Sequence, residues 1–370
     1  MALRFHWMLP RGGEVTDEPQ TAQDAASYRL QETNIYSPIQ RPDMKGWSRF
    51  AVQAEESGID SVLISFSRYE PDPLITSCAL GMVTKKLKFI AAYRLGLMQP
   101  AIFVQQVNSI SALTDGRITL NIVAGSSAAE QRGYGDYLSH DERYARAEEF
   151  LAACNSFWRS EAEAKVDFEG KYYRIEKGKL HLPFLAPGRR TPEIYISGHS
   201  EAAERLARAQ GSCLLRVADD PSKLRTSVAR MRQMGIEVCL RMCILCRPTR
   251  EEAIKVAESL LPESYDTTHM ARRDDSQMYR EAATLTENPW LTRSLWSGLA
   301  PHYGPVWTTL LGTPQEIAET LLEFKAIGVT QFIMSGWPEL DEVEIFGREV
   351  LPLVREAEKN TPETHTETRI

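Results

Sequence analysis

Short apolar segments alternate with longer segments of helical periodicity along most of this chain. The apolar segments are four to nine residues long and rich in β-branched residues, which is typical of buried strands. Eight of them predict strands, at Leu3–Met8, Asp60–Ser65, Leu87–Tyr93, Ile118–Ala124, Glu193–Ser197, Cys213–Arg216, Val238–Cys246 and Gln331–Ser335. The spacing also predicts helices, at Trp47–Ser57, Leu74–Val83, Ala101–Leu113, His140–Trp158, Glu201–Ala209, Pro221–Met234, Arg250–Leu261, Thr313–Ile327 and Asp341–Glu356.

Eight strands alternating with helices predict a closed parallel (β/α)8 TIM barrel of the α/β class. The alternative is an open, doubly wound sheet. That fold usually carries a G-x-G-x-x-G turn after its first strand, and this chain has none there. We therefore predict one barrel domain over residues 1–357, with insertions near 10–43, 160–190 and 262–311, and a disordered tail at 358–370. A hairpin is expected in the second insertion, at Val166–Arg174.

Composition excludes several functional classes. The net charge is −7, and no basic stretch alternates with aromatic residues, so a nucleic-acid partner is not expected. The N-terminus lacks a signal-peptide pattern, and no apolar run approaches the roughly 20 residues that span a bilayer. Six scattered cysteines fit a reducing cytoplasm. Cys243 and Cys246 have C-x-x-C spacing, but on a strand they point to opposite faces, which favours structural thiols over a metal or redox pair.

The active site of a TIM barrel lies at the C-terminal ends of its strands. There the strand Ile118–Ala124 ends in the small residues Gly125, Ser126 and Ser127. Ser139 and Glu142 then form a capping-box pattern that begins a helix. His140 and Tyr144 lie four residues apart, on the same side of that helix. They can hold an aromatic cofactor, or they can simply pack.

Two other strand ends carry candidate chemistry. Ser197-Gly198-His199-Ser200 leads from a strand into a helix, where free backbone N–H groups can bind a phosphate. An ordinary N-cap explains the same pattern. Arg241 lies within an apolar strand. It can pair with a carboxylate, or bind an anionic or peroxidic oxygen in the site.

Several motifs together resemble the bacterial luciferase-like flavin-dependent monooxygenases, and within them the alkanesulfonate monooxygenase branch. They are Leu113–Arg117 leading into Asn121–Ser126, then His140–Tyr144, Ser197–Ser200 and Ser335–Pro338. The resemblance extends from Phe5 to about Val354. It implies a barrel that binds FMN as FMNH2, supplied by a separate NAD(P)H:FMN reductase. It also implies O2 as co-substrate, oxygenation of a small organic substrate through a flavin C4a-(hydro)peroxide, and a homodimer or homotetramer.

The resemblance also assigns residues by position. The cofactor-binding residues would be Asp72, Tyr93, Asn121, Ala124, His140, Tyr144, Ser197 and Ser200, with Ser200 near the phosphate. The catalytic residues would be Arg241, Cys243, Tyr303 and Trp337. No metal is expected.

Departures from the family pattern concern the substrate. Alkanesulfonate monooxygenases carry a His where this chain has Cys243, a Cys where it has Glu70, and a Tyr where it has Trp337. Their sulfonate-associated Arg has no clear counterpart near 302–304. We therefore expect a substrate other than a simple alkanesulfonate, larger and more aromatic. The additional aromatic residues suggest this, although core packing also explains them: Trp290, Trp296, Tyr303, Trp307 and Trp337. Two other functions remain open, a deazaflavin-dependent hydride transfer and a non-catalytic flavin-binding protein.

Overall fold

A computed structural model describes residues 2–10, 44–67, 70–125, 127–161, 164–261 and 288–360. Most of the predicted insertion at 10–43 and the first part of that at 262–311 lie outside the described residues. So does the tail from residue 361.

Twelve strands are present in the described residues. In chain order they are β1 (Arg4–Met8), β2 (Ser61–Ile64), β3 (Lys88–Tyr93), β4 (Ile118–Ile122), β5 (Val166–Glu169), β6 (Arg174–Gly178), β7 (Ile194–Ser197), β8 (Cys213–Val217), β9 (Glu237–Cys246), β10 (Leu295–Trp296), β11 (Thr309–Gly312) and β12 (Gln331–Gly336). Eight of them form a parallel sheet in the order β9-β12-β1-β2-β3-β4-β7-β8. The sheet closes on itself because β9 also pairs with β8. This closed eight-stranded barrel confirms the predicted (β/α)8 fold.

The helices lie between the strands, as the alternating pattern predicts. They run over Met44–Glu56, Pro73–Gly81, Pro100–Leu113, Ala128–Gly133, His140–Trp158, Glu201–Gln210, Pro221–Gln233, Arg250–Ser259, Ala300–Tyr303, Pro314–Ala326, Glu339–Ile345 and Leu351–Asn360. The capping boxes at Ser139 and Thr313 are both formed. The helix His140–Trp158 has the predicted bounds.

Three local features differ from the sequence expectation. The predicted insertion near 262–311 contains two strands near its end, β10 and β11, and β11 pairs in parallel with the second half of β9. This is possible because β9 is ten residues long and only its first half pairs with β8. A short helix, Ala128–Gly133, was not predicted. The last helix reaches Asn360, so the described start of the predicted tail is helical. Glu358 accepts a hydrogen bond from the Leu3 backbone N–H there.

The hairpin in the second insertion is present, but its second strand begins only at Arg174. Cys243 and Cys246 lie in different buried clusters, as strand geometry requires. No helix in the described ranges is long and apolar enough to cross a membrane.

Alternate residues of the barrel strands face its interior. One buried cluster there contains Leu63, Ile90, Ala92, Tyr195, Cys213, Leu215, Cys239 and Ile333. Asn121 lies beside Ala92 and Tyr195 in register, and Arg241 lies beside Ile333. Neighbours in register share a face. Asn121 and Arg241 therefore face the same interior from different sides of the barrel.

The segment Thr114–Arg117 connects the helix Pro100–Leu113 to β4. Asp115 and Gly116 both have positive φ, 53° and 78°, which makes the tight turn. The buried Arg117 side chain donates to the carbonyls of Thr114, Leu87 and Gly81 and to the Thr84 hydroxyl. This motif therefore joins the start of β4 to its neighbours at the end of the barrel away from the candidate site.

Candidate functional site

A hydrogen bond joins the predicted cofactor-binding residues of β4 and β7. The Ser197 hydroxyl donates to Asn121 Oδ1 at 2.7 Å. Asn121 is buried and Ser197 is partly exposed. Since the bond fixes the amide plane, the Asn121 NH2 group is directed away from Ser197. The structure therefore brings together an amide donor and a hydroxyl at two neighbouring strand ends.

Tyr144 and Ser200 meet beside this pair. Burial raises the pKa of the Tyr144 hydroxyl, and the neighbouring Ser200 hydroxyl opposes that rise. Ser200 also caps the helix Glu201–Gln210 by accepting from the Ala203 backbone N–H at 3.2 Å. Gly198 has φ +136°, and a Cβ there would lie 3.2 Å from the Tyr144 hydroxyl oxygen. The helix N-terminus and two hydroxyls thus surround a position with no room for another side chain.

His140 lies at the exposed edge of this group. Its ring centroid is 5.0 Å from that of Tyr144, so the predicted same-side arrangement is confirmed. Its Nδ1 lies 3.1 Å from Asp141 Oδ1.

Tyr93 and Asp72 have largely packing and capping contacts. Burial, and then the charge of Asp72, raise the pKa of Tyr93 to about 12. The Tyr93 ring packs against Phe66 and Phe103. Asp72 accepts from the backbone N–H groups of Leu74 and Ile75 as an N-cap. The two residues are thus near each other, and the Asp72 carboxylate already has a structural role.

The backbone after β4 is fixed by side chains from outside the barrel. The Ala124 carbonyl accepts from Gln131 Nε2 at 2.9 Å and from Arg143 Nε at 3.0 Å. Gly125 has φ +85°, and a Cβ there would overlap the Gln131 amide. Ala124 therefore offers a rigid backbone edge rather than a side-chain contact.

Two of the predicted catalytic residues, Arg241 and Cys243, lie across the barrel on β9, which pairs with β12. Arg241 Nη2 donates to the Ser335 hydroxyl at 2.9 Å, and Arg241 also bonds the Met242 and Ile333 carbonyls. Cys243 Sγ lies 3.2 Å from the same hydroxyl. Ser335 therefore joins the two predicted residues, although the sequence reasoning did not single it out. Its signal was the register, because Ser335 pairs with Cys243.

An aromatic cluster covers this side of the barrel. Trp296, Trp307 and Trp337 belong to one buried group with Cys243, and Tyr303 packs against it. The Tyr303 hydroxyl donates to the Leu260 carbonyl at 2.7 Å. The Tyr303 ring centroid lies 5.6 Å from that of Trp307. Trp337 and Cys243 are thus brought together, while the observed Tyr303 contacts are structural.

Comparisons with known proteins identify the family and the fold. The chain matches the luciferase-like monooxygenase family over residues 5–331. Its structure is similar to EDTA monooxygenase EmoA from Chelativorans sp. BNC1, with 19% identity, TM-score 0.71, and coverage of 96% of this chain and 94% of that one.

Two further structures are similar. Riboflavin lyase RcaE, solved with a modified FMN and riboflavin, has 19% identity, TM-score 0.69, and coverage of 97% and 92%. An F420-dependent secondary alcohol dehydrogenase has 18% identity, TM-score 0.61, and coverage of 96% and 100%. At such identities the structures establish the fold, and the sequence match establishes the family. This chain belongs to the luciferase-like monooxygenase family.

Proposed function

We propose that this protein is the oxygenase of a two-component system, using FMNH2 and O2 to oxygenate a small organic substrate. The observation that carries the proposal is the pair of neighbouring hydroxyls, Tyr144 and Ser200, at the N-terminus of the helix Glu201–Gln210. Family membership supports the general chemistry.

The residues present fit FMN. A phosphate is favoured where helix N–H groups and hydroxyls converge, as they do around Ser200. The absence of a Cβ at Gly198 lets the Tyr144 hydroxyl pack close to this helix N-terminus. Asn121 and the Ala124 backbone, from the next strand end, suit the polar edge of the flavin ring. Bound reduced flavin would supply the reaction with O2.

The rest of the chain would position the substrate and exclude water. The Arg241 guanidinium is held in place by Ser335 and would orient an oxygen of the substrate. The aromatic cluster of Trp296, Trp307 and Trp337 shields the same side from solvent. Cys243 and the aromatic residues favour a substrate other than a simple alkanesulfonate, larger and more aromatic. A separate NAD(P)H:FMN reductase would supply the FMNH2.

A second candidate is hydride transfer with a deazaflavin. The similarity to the F420-dependent alcohol dehydrogenase supports it, since the same barrel serves that cofactor there. A flavin-binding protein without catalysis is a third. The presence of Arg241 and of the buried aromatic cluster favours an enzyme over this third candidate.

The deciding experiment is anaerobic titration of the protein with FMNH2 and, in parallel, with reduced F420, followed by mixing with O2. We expect binding of FMNH2, and an O2 uptake that depends on protein and on the added substrate class. Incorporation of ¹⁸O from ¹⁸O₂ into product would identify an oxygenase. Binding of reduced F420 alone would favour the deazaflavin enzyme. FMN binding without ¹⁸O incorporation across a broad substrate panel would favour a binding protein.

A further inference from the structure

Arg94 lies at the mouth of the barrel, directly after β3. Ile90 and Ala92 face the interior, and Arg94 continues that alternation. Its guanidinium carbon lies 5.3 Å from the Phe66 ring centroid, and Phe66 packs against the same interior cluster. Two independent observations therefore direct this side chain toward the interior.

The guanidinium is held in a fixed orientation. Arg94 Nη2 forms an ion pair with Glu130 Oε2 at 2.8 Å. The guanidinium carbon also lies 5.6 Å from the Tyr134 ring centroid. The residue is 7% exposed. Because the ion pair and the two rings already restrict the side chain, a ligand that binds it loses little additional rotamer entropy.

Two of its donors lack an acceptor. Within the described ranges, neither Nε nor Nη1 of Arg94 has a hydrogen-bond partner. A buried donor left without an acceptor costs about 1–3 kcal/mol. Native structures rarely leave such groups without a partner, a bound water or a ligand. An Arg with two such donors at the mouth of a barrel is suited to bind a ligand that is negatively charged or is a strong hydrogen-bond acceptor.

The neighbours of Arg94 indicate which ligand. Tyr93 precedes it, and Ala92 pairs in register with Asn121, so Arg94 borders the proposed flavin site. The pyrimidine half of reduced flavin carries a negative charge at neutral pH, whereas oxidised flavin is neutral. Building on the proposed function, we infer that Arg94 donates to the ring of reduced FMN and makes the site prefer the reduced form to the oxidised form.

Glu130 adjusts this preference. Its carboxylate partly neutralises the guanidinium, so the pair presents donors with little net charge. Glu130→Gln keeps the shape and removes the negative charge. Arg94→Met removes the donors and the positive charge, while Arg94→Lys keeps the charge without the planar group. The first two variants should change the preference for reduced FMN in opposite directions.

The test measures dissociation constants for FMNH2 (anaerobically) and for FMN in the intact protein and its variants. Arg94→Met should lose about tenfold to hundredfold of the preference for FMNH2, the range of a charged hydrogen bond. The midpoint potential of bound flavin should fall by about 30 mV for each tenfold. Arg94→Lys should lose less, and Glu130→Gln should raise the preference. The matched control is Arg132→Met. Arg132 is exposed and lies on the same short helix as Glu130, Ala128–Gly133, so this variant should leave both dissociation constants unchanged.

Three results would overturn the inference. An unchanged ratio of the two constants in Arg94→Met and Arg94→Lys would mean that Arg94 does not sense the cofactor charge. An equal loss of affinity for FMNH2 and for FMN in Arg94→Met would identify Arg94 as purely structural. A wild-type protein that binds neither form would reject the proposed function together with this inference, and so would be distinguishable from the first two results.

Discussion

Two hydroxyls border the proposed phosphate site, Tyr144 from the helix His140–Trp158 and Ser200 from the N-cap of the helix Glu201–Gln210. Tyr144→Phe removes one of these hydroxyls and keeps the ring contact with His140. We expect the dissociation constant for FMN to rise roughly threefold to tenfold, the range of one hydrogen bond. Fluorescence titration of FMN measures it.

The control is Tyr137→Phe. Tyr137 is 79% exposed, so this variant makes the same chemical change outside the site. An equal rise in both variants, or none in Tyr144→Phe, would remove Tyr144 from the cofactor site.

Arg117 shows that a family motif can be structural. Its guanidinium satisfies three carbonyls and one hydroxyl, all buried. Arg117→Met would remove all four of these buried hydrogen bonds, so we expect the free energy of unfolding to fall by about 3 kcal/mol or more. FMN affinity of the folded fraction should not change. Urea denaturation measures the loss. Arg225→Met, at an exposed helical position, is the control and should lie within about 0.5 kcal/mol of wild type.

At the scale of elements, a buried ion pair connects the residue after β9 to the helix Glu339–Ile345, which follows β12. Arg247 Nη1 lies 2.7 Å from Glu342 Oε2, and Arg247 Nη2 donates to the Trp337 carbonyl at 2.9 Å. Glu342 also accepts from the Cys246 backbone N–H. A Cβ at Gly336 would collide with the Glu342 side chain, so the fit is close. The pair therefore fixes the backbone that carries Ser335 and Trp337.

Glu342 makes stability depend on pH. Burial raises its pKa from the ordinary 4.5 to about 7, with Glu339 adding to the rise and Arg247 opposing it. Since the folded state holds this proton more tightly than the unfolded state, its contribution to stability is full below about pH 4.5 and is lost as pH rises through about 7. The Gln side chain has no proton to lose. Glu342→Gln should therefore remove this pH dependence of the free energy of unfolding, which amounts to roughly 1.4 kcal/mol per pH unit at most.

The measurement is the difference in unfolding free energy between wild type and Glu342→Gln at pH 5, 6, 7 and 8. The difference is needed because His6 acts in the opposite direction. Burial lowers the pKa of His6 to about 4, so its contribution is lost as pH falls below about 6.5. His6 is present in both proteins, so its contribution cancels in the difference. A pH-independent difference would contradict the assigned role of Glu342.

The sequence predicts elements better than contacts. The eight barrel strands and the helix His140–Trp158 follow from local period and capping, which are properties of short segments. Strand β11 was missed because its four residues become a strand only by pairing with the overlong β9. The strand-end rule and the family resemblance together selected Asn121 and Ser197, and a hydrogen bond joins these two residues. Neither identified the bonds of Ser335 or the pairing of Arg94 with Glu130, because such contacts depend on rotamers of residues distant in sequence.

At the scale of the whole molecule, two neighbouring barrel helices have an unusual surface. Neither Pro73–Gly81 nor Pro100–Leu113 contains a charged residue, and the two helices pack against each other. Their outer side exposes large apolar residues, among them Ile75 (71%), Met82 (69%) and Leu113 (60%). Outer helices of a barrel normally carry charges on the side facing water. This surface is therefore suited to burial against another protein.

We expect that protein to be a second copy of this chain, giving a homodimer or a homotetramer built from such dimers. An uncharged apolar surface is complementary to itself, which a two-fold interface requires. Ile75→Glu would place a charge on both sides of that interface at once, so light scattering should show wild type as an oligomer and this variant as a smaller species. Val52→Glu, at an exposed apolar position on the helix Met44–Glu56, should keep the wild-type mass. A monomeric wild type would contradict the prediction. An unchanged mass in Ile75→Glu would place the interface elsewhere.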